Sequence, residues 1–316
     1  MENVSPPEGS VVSVNISERQ GTSKQPVEAI VIDSQGVSGD AHAGHWHRQV
    51  SLLAEESIER FSKEAGQAFL PGEFAENITT RGIGLAGVVI LDRLVFGDSV
   101  ELEVTQLGKE CHGSGCAIFQ QVGRCVMPKE GVFARVVRGG TVRAGDAIVH
   151  KQRRLRCRII TLSDRASQGV YPDRSGPRIC ECLERFAREN RWHLDAEAVI
   201  LPDDAQQLRS VLIDAQDTGV HAVFTTGSTG IGPRDIAPEV VTELADKMIP
   251  GIMEHIRVKY GAAKPNALLS RSVAAILGQT LVYTLPGSTK AVDEYMAEIL
   301  KTIEHALFML YGLDIH

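Results

Sequence analysis

The first half of the chain carries short apolar segments in which hydrophobic and polar positions alternate. Four such segments, rich in β-branched residues, lie at residues 11–16, 27–32, 88–90 and 100–104. A period near two is typical of a strand with one buried face, and the glycine and aspartate residues between the segments are typical of turns. The pattern predicts a mostly antiparallel β barrel or sandwich.

One helical segment interrupts this pattern at residues 55–65. Ile58, Phe61 and Ala65 recur there at the spacing of one helix face. Gly66 follows directly, and glycine commonly ends a helix because it adopts the left-handed backbone conformation at low cost. We therefore expect one helix within the strand-rich half.

The second half follows a different rhythm, in which apolar strands alternate with amphipathic helices. Strand-like segments lie at residues 158–162, 196–201 and 220–225, and helical segments lie between them at residues 176–190 and 205–216. This alternation predicts a three-layer α/β fold with a mostly parallel sheet covered by helices. Ligands of such a sheet bind at the carboxyl ends of its strands.

The length and a change in composition predict two domains. The chain has 316 residues, and a typical domain has about 150. A basic run at residues 151–158 follows a strand-like segment at residues 145–150. We expect a first domain over residues 1–150, a basic linker over 151–157 and a second domain over 158–316. The run lacks the interleaved aromatic residues of a nucleic-acid site.

Composition and charge exclude several classes of protein. Hydrophobic residues make up 43 % and charged residues 23 %, which is enough apolar material for two ordinary cores and excludes wholesale disorder. The net charge of −7 argues against nucleic acid as a partner. We find neither a membrane-length apolar run nor a signal peptide, so we expect a soluble cytoplasmic protein. The six cysteines fit reduced thiols, of which any special one is reactive rather than structural.

A glycine-rich turn at residues 225–235 carries the sharpest chemical signal. It follows a predicted buried strand and precedes a helical segment at residues 238–246. Glycines let backbone amides approach an anion closely, and the N-terminus of a following helix adds a favourable dipole. The turn is neither a Walker A loop nor a Gly-x-Gly-x-x-Gly fingerprint.

Carboxylates accompany this turn at the same predicted edge of the sheet. Asp235 ends the turn, and Asp203 and Asp204 follow the preceding strand. Carboxylates beside phosphates usually hold Mg²⁺. The alternatives are structural, with Asp235 as the cap of the next helix and Asp203 as a turn residue after Pro202.

The motifs of the second half recur together in one order. They are residues 162–167, 201–204, 225–235, 238–239, 270–271 and 285–288. Over residues 156–312 the chain resembles the molybdopterin adenylyltransferase family of molybdenum cofactor biosynthesis. The resemblance implies transfer of AMP from MgATP to the terminal phosphate of molybdopterin, with adenylyl-molybdopterin and pyrophosphate as products.

The resemblance also assigns roles to residues. It implies Asp203 and Asp235 as the catalytic carboxylates and the Mg²⁺ ligands. The residues implied for the pterin and nucleotide pocket are Ser163, Asp164, Gly227, Ser228, Thr229, Gly230, Arg234, Ser270, Arg271, Pro286 and Gly287. Because the attacking phosphate is already an anion, the reaction needs positioning and charge neutralisation more than a general base. The chain departs from the family at Ser228, where a second glycine is usual, and at Ser288–Thr289.

The first half resembles the MOSC domain, the carboxy-terminal module of molybdenum cofactor sulfurases. The resemblance covers residues 8–149 and rests on residues 39–53, 72–78, 97–98 and 104–106 together with Cys111. It implies a β barrel of the pyruvate-kinase-insert type. It also implies that Cys111 carries sulfur or contacts the molybdenum cofactor.

A sulfur-carrying cysteine requires an accessible thiolate near cations, and Arg48, Lys109 and His112 are candidates for lowering the pKa of Cys111. The alternative is an inert buried thiol, and Cys116 is a candidate second or resolving sulfur site.

Arg48, Asn77 and one or more of the histidines His42, His45 and His47 are expected to line an anion pocket for the phosphate or nucleotide end of the cofactor. A structural zinc site is disfavoured, because the chain has no Cys-x-x-Cys pair and no His-Glu-x-x-His helix.

The leading interpretation is a bifunctional cofactor-assembly protein, with an adenylyltransferase in the second half and cofactor binding or sulfur handling in the first. One alternative is a non-catalytic carrier of molybdopterin or of the mature cofactor. Another is sulfur transfer centred on the first half, with the second half as a binding platform. Expected partners are a cysteine desulfurase, a molybdenum insertase and molybdoenzymes, and the resemblance suggests a homotrimer.

Overall fold

The computed structural model describes residues 8–109 and 122–313. The chain divides into two compact units, Met1–Arg153 and Arg154–Leu313. The predicted sulfur site at Cys111, with His112 and Cys116, lies outside the described residues. Within the described ranges, each helix is too short or too polar to cross a bilayer.

The first unit is built around a closed barrel. Its elements are β1 (Glu8–Ile16), β2 (Gln25–Val27), β3 (Ala29–Asp33), β4 (Gly36–Val37), β5 (Val50–Ala54), α1 (Glu55–Ala65), β6 (Ile78–Arg81), a 3₁₀ turn (Leu85–Gly87), β7 (Arg93–Phe96), β8 (Val100–Leu107), α2 (Met127–Glu130), β9 (Val132–Arg138), β10 (Gly140–Arg143) and β11 (Ala147–Lys151). Seven strands run in the order β11-β7-β8-β9-β5-β6-β1, and β1 pairs back with β11. The predicted β barrel is therefore confirmed, and the sandwich alternative is wrong.

The pairings of this barrel are antiparallel except for the parallel pair β5–β6. Strand β2 extends the barrel sheet from β1, and β10, β3 and β4 form a separate three-stranded sheet. Side chains such as Val14, Leu52, Ile78 and Leu102 have no solvent exposure and fill the core. The alternating pattern of the sequence therefore corresponds to the inner face of a barrel.

The apolar segment at residues 88–90 forms no strand. Val88 donates its backbone N–H to Leu85 O at 3.2 Å, which closes the 3₁₀ turn. Val89 donates its N–H to the carboxylate of Asp92 at 3.0 Å. Both valine side chains are buried. The hydrophobic run thus reflects a buried turn, and the strand begins later, at Arg93.

Helix α1 has the predicted limits. Gly66 follows it in the left-handed conformation, with φ of 67°. The buried face carries Ile58 and Phe61. The ring of Phe61 packs against Phe69 and Phe74, with centroid distances of 5.4 and 5.3 Å. The helix is thus held by a small aromatic cluster of its own.

The second unit contains one mixed sheet with helices. Its elements are β12 (Arg154–Leu162), α3 (Asp164–Ser167), α4 (Ser175–Glu189), β13 (His193–Leu201), α5 (Ala205–Asp217), β14 (Ala222–Thr226), α6 (Ala237–Leu244), β15 (Lys247–Met248), α7 (Pro250–Gly261), a 3₁₀ turn (Pro265–Leu269), β16 (Ala274–Leu277), β17 (Thr280–Leu285), α8 (Thr289–Ile299) and α9 (Ile303–Leu310). The strand order is β13-β12-β14-β17-β16-β15. The first four strands are mutually parallel, whereas β16 and β15 are antiparallel to their neighbours.

The antiparallel end of the sheet differs from the sequence prediction of a mostly parallel sheet. Strand β17 follows β16 after a two-residue turn in which Gly278 has φ of 57°. So short a connection joins antiparallel strands, because a parallel pair needs a crossover of a dozen residues or more. The sheet is parallel where it carries the predicted motifs and antiparallel beyond them.

Helices pack on both faces of the parallel strands. Phe224 of β14 lies in a core with Ile179 of α4, whereas its neighbour Val223 lies in a separate core with Leu208 of α5. Successive side chains of a strand point to opposite faces of the sheet. The two cores therefore lie on opposite sides of one sheet.

The basic run predicted as a linker lies mainly in strands. Strand β11 ends at Lys151 and β12 begins at Arg154. Leu155 and Cys157 are each 2 % exposed, whereas the arginines beside them reach solvent. A strand exposes alternate residues, so it places the charges on one face and the apolar residues in the core.

Candidate functional site

A large cleft lies at the carboxyl ends of β12, β14 and β17. Its volume is about 1220 Å³, and its walls include Thr161, Thr226 and Pro286. After β12 the chain passes to β13 on one side of that strand and then to β14 on the other side. Ligands of open α/β sheets bind at such a switch in strand order. The cleft exceeds the usual range of about 300 to 1,000 Å³ for a small-molecule site, so it has room for more than one ligand.

The structure brings most of the predicted pocket residues to this cleft. The residues that line it are Ser163, Gly227, Ser228, Thr229, Gly230, Asp235, Ser270, Pro286 and Gly287. Four further predicted residues, Asp164, Asp203, Arg234 and Arg271, are not part of its lining. These four contact the turns that form the cleft.

The glycine-rich turn presents backbone amides to the cleft. Gly227 has φ of 95°, and its N–H donates to Leu285 O at 2.9 Å. The next three N–H groups, of Ser228, Thr229 and Gly230, have no acceptor among the described residues. Consecutive N–H groups without an internal acceptor form a concave site for an anion. This arrangement of N–H groups fits an anion.

Ser228 adopts a conformation that usually belongs to glycine, with φ of 54°. Its hydroxyl accepts a hydrogen bond from Ile236 N at 2.9 Å and donates one to Arg234 O at 3.1 Å. These two bonds join the beginning of the turn to its end, and they offset the cost of a left-handed non-glycine residue. The departure from the family pattern therefore has a structural compensation.

Substitution of Gly227 is expected to disrupt the turn. A Cβ at this position would collide with Leu162 O, and the φ of 95° disfavours any side chain. Gly227→Ala should destabilise the second unit by at least about 2 kcal/mol and weaken anion binding at the turn. Gly251→Ala is the control, because a Cβ there meets nothing within 4 Å. Thermal unfolding and titration of both variants with inorganic pyrophosphate test this, and equal behaviour would contradict the expectation.

Asp235 lines the cleft, and one of its two carboxylate oxygens accepts a hydrogen bond within the turn. Its Oδ2 accepts the N–H of Gly232 at 2.8 Å, and a Cβ on Gly230 would lie 2.8 Å from the same oxygen. Asp235 does not cap helix α6, which begins after Ile236 without a side-chain cap. Mg²⁺ binds through one or two carboxylates together with substrate phosphates and water. The other oxygen of Asp235, beside the free amides of the turn, fits that requirement.

Asp203 is held by the turn that follows β12. Its carboxylate accepts the N–H of Asp164 at 3.3 Å, and its own N–H donates to Asp164 Oδ1 at 3.1 Å. Arg234 donates to Asp164 Oδ2 at 2.5 Å. The neighbouring Asp204, not Asp203, caps helix α5. The three residues Asp203, Asp164 and Arg234 thus tie together the turns after β13, β12 and β14.

Arg271 supports the glycine-rich turn from its other side. Its Nε donates to Gly230 O at 2.5 Å, its Nη2 donates to Asp235 O at 3.1 Å, and it also pairs with the carboxylate of Glu239. Its backbone N–H donates to Thr229 O at 2.9 Å. These bonds orient the carbonyl oxygens of Thr229, Gly230 and Asp235 toward Arg271.

Sequence reasoning missed the basic side chains that line the cleft, Arg174, Lys264 and Lys290. They come from three separate segments: Arg174 directly precedes α4, Lys264 directly precedes the 3₁₀ turn Pro265–Leu269, and Lys290 lies in the first turn of α8. No local motif marks them, because the fold alone brings them together. Tyr171 was also missed, and its hydroxyl lies 2.9 Å from the hydroxyl of Ser163.

The first unit has a small pocket of about 80 Å³ at one side of the barrel. The residues that line it are His42, Trp46, Arg48, Ser51, Ala75, Asn77, Lys109, Met127 and Phe133. Arg48 and Asn77 therefore lie together as predicted, beside His42 and Lys109. His45 and His47 are not part of the lining.

Arg48 and Asn77 contribute to this pocket in different ways. The guanidinium of Arg48 stacks over Trp46 at 4.7 Å from the ring centroid, and its buried Nε has no partner within the described part of the chain. The Asn77 side chain is already committed, since its Oδ1 accepts from Ser51 N at 3.1 Å and its Nδ2 donates to Asn15 O at 3.3 Å. Arg48 is available to a ligand, whereas Asn77 shapes the wall.

A buried ion pair lies next to the pocket. The ammonium of Lys24 contacts the carboxylate of Asp40, and each side chain is 1 % exposed. Burial alone would raise the pKa of Asp40, but hydrogen bonds from His42 and Lys24 hold that pKa well below its usual range. Burial lowers the pKa of Lys24. His42 is thereby fixed at the pocket, with its N–H donating to Asp40 Oδ1 at 3.0 Å.

Glu76 is fully buried beneath the same region. Its Oε1 accepts from Gly72 N at 2.6 Å and from the Thr79 hydroxyl at 2.8 Å, whereas its Oε2 has no partner among the described residues. Burial raises the pKa of Glu76 above its ordinary value of 4.5. The carboxyl therefore retains its proton in the folded protein at a pH where the unfolded chain has lost it.

This shift predicts a pH-dependent effect of Glu76→Gln. Above pH 4.5 the unfolded state loses its proton first, so the glutamate contributes less stability as the pH rises. Glutamine does not titrate, and the stability of Glu76→Gln relative to the natural chain should increase from pH 4.5 toward neutral pH. Hydrogen exchange of the β1 and β6 amides measures it. A difference that is constant with pH, or that falls, would show that Glu76 is ionised in the fold.

Comparison with known proteins agrees with these two units. Residues 39–149 match the family model of the MOSC domain, and residues 158–305 match the model described as a probable molybdopterin binding domain. The molybdopterin adenylyltransferase of Haemophilus influenzae is 37 % identical over 143 residues, which cover 44 % of this chain and 70 % of that protein. The similarity lies in the second half.

Two further comparisons cover the same half. Gephyrin from Dictyostelium discoideum is 32 % identical over 157 residues, and the match spans 48 % of this chain but 22 % of gephyrin. The solved structure of the molybdopterin biosynthesis Mog protein from Mycobacterium ulcerans is 35 % identical, with a TM-score of 0.46, and the match covers 50 % of this chain and 99 % of that one.

The chain therefore belongs, through its second half, to the molybdopterin adenylyltransferase family, and it carries a MOSC domain in its first half. This membership connects the second half with molybdenum cofactor biosynthesis.

Proposed function

We propose that the second half transfers AMP from MgATP to the terminal phosphate of molybdopterin and releases pyrophosphate. The observation that carries this proposal is the turn at Ser228–Gly230, whose three N–H groups without an acceptor among the described residues lie beside Asp235 in one cleft. The size of the cleft suits a site for two substrates, and the relatives named molybdopterin adenylyltransferase share this half.

In this reaction an oxygen of the molybdopterin phosphate forms a bond to the α-phosphorus of ATP. The bond from that phosphorus to the bridging oxygen of the β-phosphate breaks, and pyrophosphate leaves with the electron pair. No proton has to be removed from the nucleophile, because it is an anion. The work left to the protein is to hold the two phosphates in line and to neutralise their charge.

Different residues of the cleft are proposed to hold the phosphates and to neutralise their charge. The amides of Ser228, Thr229 and Gly230 bind phosphate oxygens in a preorganised turn. Asp235 would hold the magnesium ion that accompanies ATP, and Asp203 is the second carboxylate that the family resemblance proposes for it. The ion would neutralise part of the triphosphate charge. Ser163, Asp164, Ser270 and the turn at 286–287 shape the remainder of the pocket, and Arg234 and Arg271 position the phosphate turn.

Pyrophosphate release from the purified chain tests the proposal. We expect release from MgATP that depends on molybdopterin and on Mg²⁺. Tight binding of molybdopterin without release would instead support the carrier function, in which the chain delivers the pterin or the mature cofactor to another protein.

We propose for the first half that the pocket at Arg48 binds an anionic group of a molybdenum cofactor intermediate. Arg48, Lys109 and His42 surround a space that accommodates one small group. If the half instead handles sulfur, Cys111 carries it as a persulfide that a separate cysteine desulfurase supplies. Persulfide labelling distinguishes the two, with Cys111→Ala as the test variant and Cys125→Ala as the control.

We further propose that the chain acts in the cytoplasm as a homotrimer and passes its product to a molybdenum insertase or a molybdoenzyme. Analytical ultracentrifugation tests the oligomeric state. A sedimenting species with the mass of one chain at micromolar concentration would contradict the trimer.

A further inference from the structure

The cleft has a second basic wall, formed by Lys264 and Lys290, which come later in the chain than the turn at residues 225–235. Lys264 follows helix α7, and Lys290 lies in the first turn of helix α8. Both side chains line the cleft, and neither belongs to a motif of the sequence analysis. Arg234 of the turn and Arg271, which bonds to the turn from its other side, do not line the cleft. The lysines thus supply positive charge that the turn does not.

Lys264 is paired with a carboxylate of the same wall, and Lys290 lies nearby on the same helix as that carboxylate. Lys264 pairs with Glu294, which is one turn along α8 from Lys290 and also lines the cleft. Lys290 lines the same cleft as Lys264 and Glu294. Two ammonium groups and one carboxylate leave a net charge of about +1 at this wall, and the repulsion between the two ammonium groups is relieved by an anion.

The existing ion pair leaves donors for such an anion. An ammonium has three N–H donors, and one carboxylate does not occupy them all. The side chain of Lys264 is 42 % exposed, whereas that of Glu294 is 19 % exposed. Glu294 therefore holds Lys264 at the wall without covering it. The pairing with Glu294 also raises the pKa of Lys264, so the ammonium stays charged at neutral pH.

We propose that Lys264 and Lys290 form a second phosphate subsite of the cleft, separate from the turn at Ser228–Gly230. This inference rests on the proposed transfer between two phosphorylated substrates. Such a reaction brings a phosphate nucleophile to a triphosphate, and a second cationic site counters the repulsion between them. The phosphate comes either from the pyrophosphate part of ATP or from the acceptor pterin.

The structure offers a matched control one turn further along α8. Lys259 of α7 pairs with Glu298 of α8 at 2.6 Å, in the same kind of contact between the two segments. Neither residue lines the cleft. Lys259→Met therefore removes a comparable ion pair without touching the proposed subsite.

Titration calorimetry of the whole chain with inorganic pyrophosphate, molybdopterin and AMP tests the proposal. Lys264→Met and Lys290→Met should each weaken one probe about tenfold, as expected for loss of a charged hydrogen bond, and should leave AMP unchanged. Weaker pyrophosphate binding assigns the subsite to ATP, and weaker molybdopterin binding assigns it to the acceptor. Glu294→Gln should strengthen binding of the same probe, because a competing carboxylate is removed.

Two results would overturn the subsite. One is a loss no larger than that of Lys259→Met for both pyrophosphate and molybdopterin. The other is an equal loss for AMP, which would mean that the substitution disturbs the whole cleft. Binding is measured without turnover, so a chain that releases no pyrophosphate contradicts the proposed function and leaves this test of the subsite intact.

Discussion

Replacing Asp235 with asparagine is expected to lower the rate of adenylyl transfer at least about 100-fold, a loss of the size seen when one preorganised electrostatic contact is removed. Asparagine keeps an oxygen that can accept the Gly232 N–H, a bond of 2.8 Å in the natural chain. It removes the negative charge that is proposed to hold Mg²⁺. The substitution therefore separates the charge of Asp235 from its role in shaping the turn, and pyrophosphate release at saturating MgATP measures it.

The control for this experiment is Asp204→Asn. Asp204 lies beside Asp203 and caps α5 by accepting the N–H of Gln207 at 2.9 Å. Asparagine is an equally good helix cap, so this variant should keep its rate within a factor of about two. If Asp235→Asn also keeps most of its rate, the carboxylate serves the turn alone and the proposed metal role is wrong.

Asp40→Asn is expected to destabilise the barrel by about 3 to 5 kcal/mol, because it leaves the buried ammonium of Lys24 without its counter-ion. The two side chains are each 1 % exposed, so water cannot take the place of the lost carboxylate. The double variant Lys24→Met with Asp40→Asn should recover most of this stability, since it removes both charges together. Hydrogen exchange of the barrel strands reports the free energy of opening for each variant.

An exposed ion pair in the same unit provides the comparison. Arg60 and Glu130 form a pair in which the side chains are 54 % and 35 % exposed. Glu130→Gln should cost no more than about 1 kcal/mol, as is usual for pairs at the surface. A cost for Asp40→Asn as small as that of Glu130→Gln would show that the Lys24 ammonium finds another partner or loses its proton.

Much of the fold could be predicted from the sequence where local pattern and packing agree. Residues 55–65 form the predicted helix because its apolar face and its terminal glycine give the same limits. The strands of the first half form a barrel, which is one of the two architectures that their alternation predicts. Residues 88–90 show the limit of this reasoning, because a buried turn and a short strand have similar hydrophobic patterns.

In the second half, the structure differs from the sequence prediction where the result depends on strand formation and on pairing across the sheet. The arginines after Lys151 suggest a linker by composition, but the strand that begins at Arg154 places Arg154 and Arg156 on the face opposite to buried Leu155 and Cys157. The reversal at β16 depends on the two-residue turn at Gly278 and on strand pairing across the sheet. Pairing partners far apart in the chain leave no local signal.

The candidate site was predictable from the sequence where its residues belong to one continuous motif. The phosphate turn and Asp235 belong to one continuous motif, and they lie in the cleft together. Asp203 and Arg271 are marked by the same family pattern, yet they bond to the turns around the cleft instead of lining it. Lys264 and Lys290 are brought to the cleft by the packing of α7 against α8, which no motif encodes.

The most direct test of the central claim follows the α-phosphate of ATP. The purified chain is incubated with molybdopterin, Mg²⁺ and ATP labelled at the α-phosphorus, and the products are separated. We predict that the label appears in a pterin product that carries AMP, with unlabelled pyrophosphate released in equal amount. Label that remains in ATP, or that appears as free AMP while molybdopterin is unchanged, would contradict adenylyl transfer by this protein.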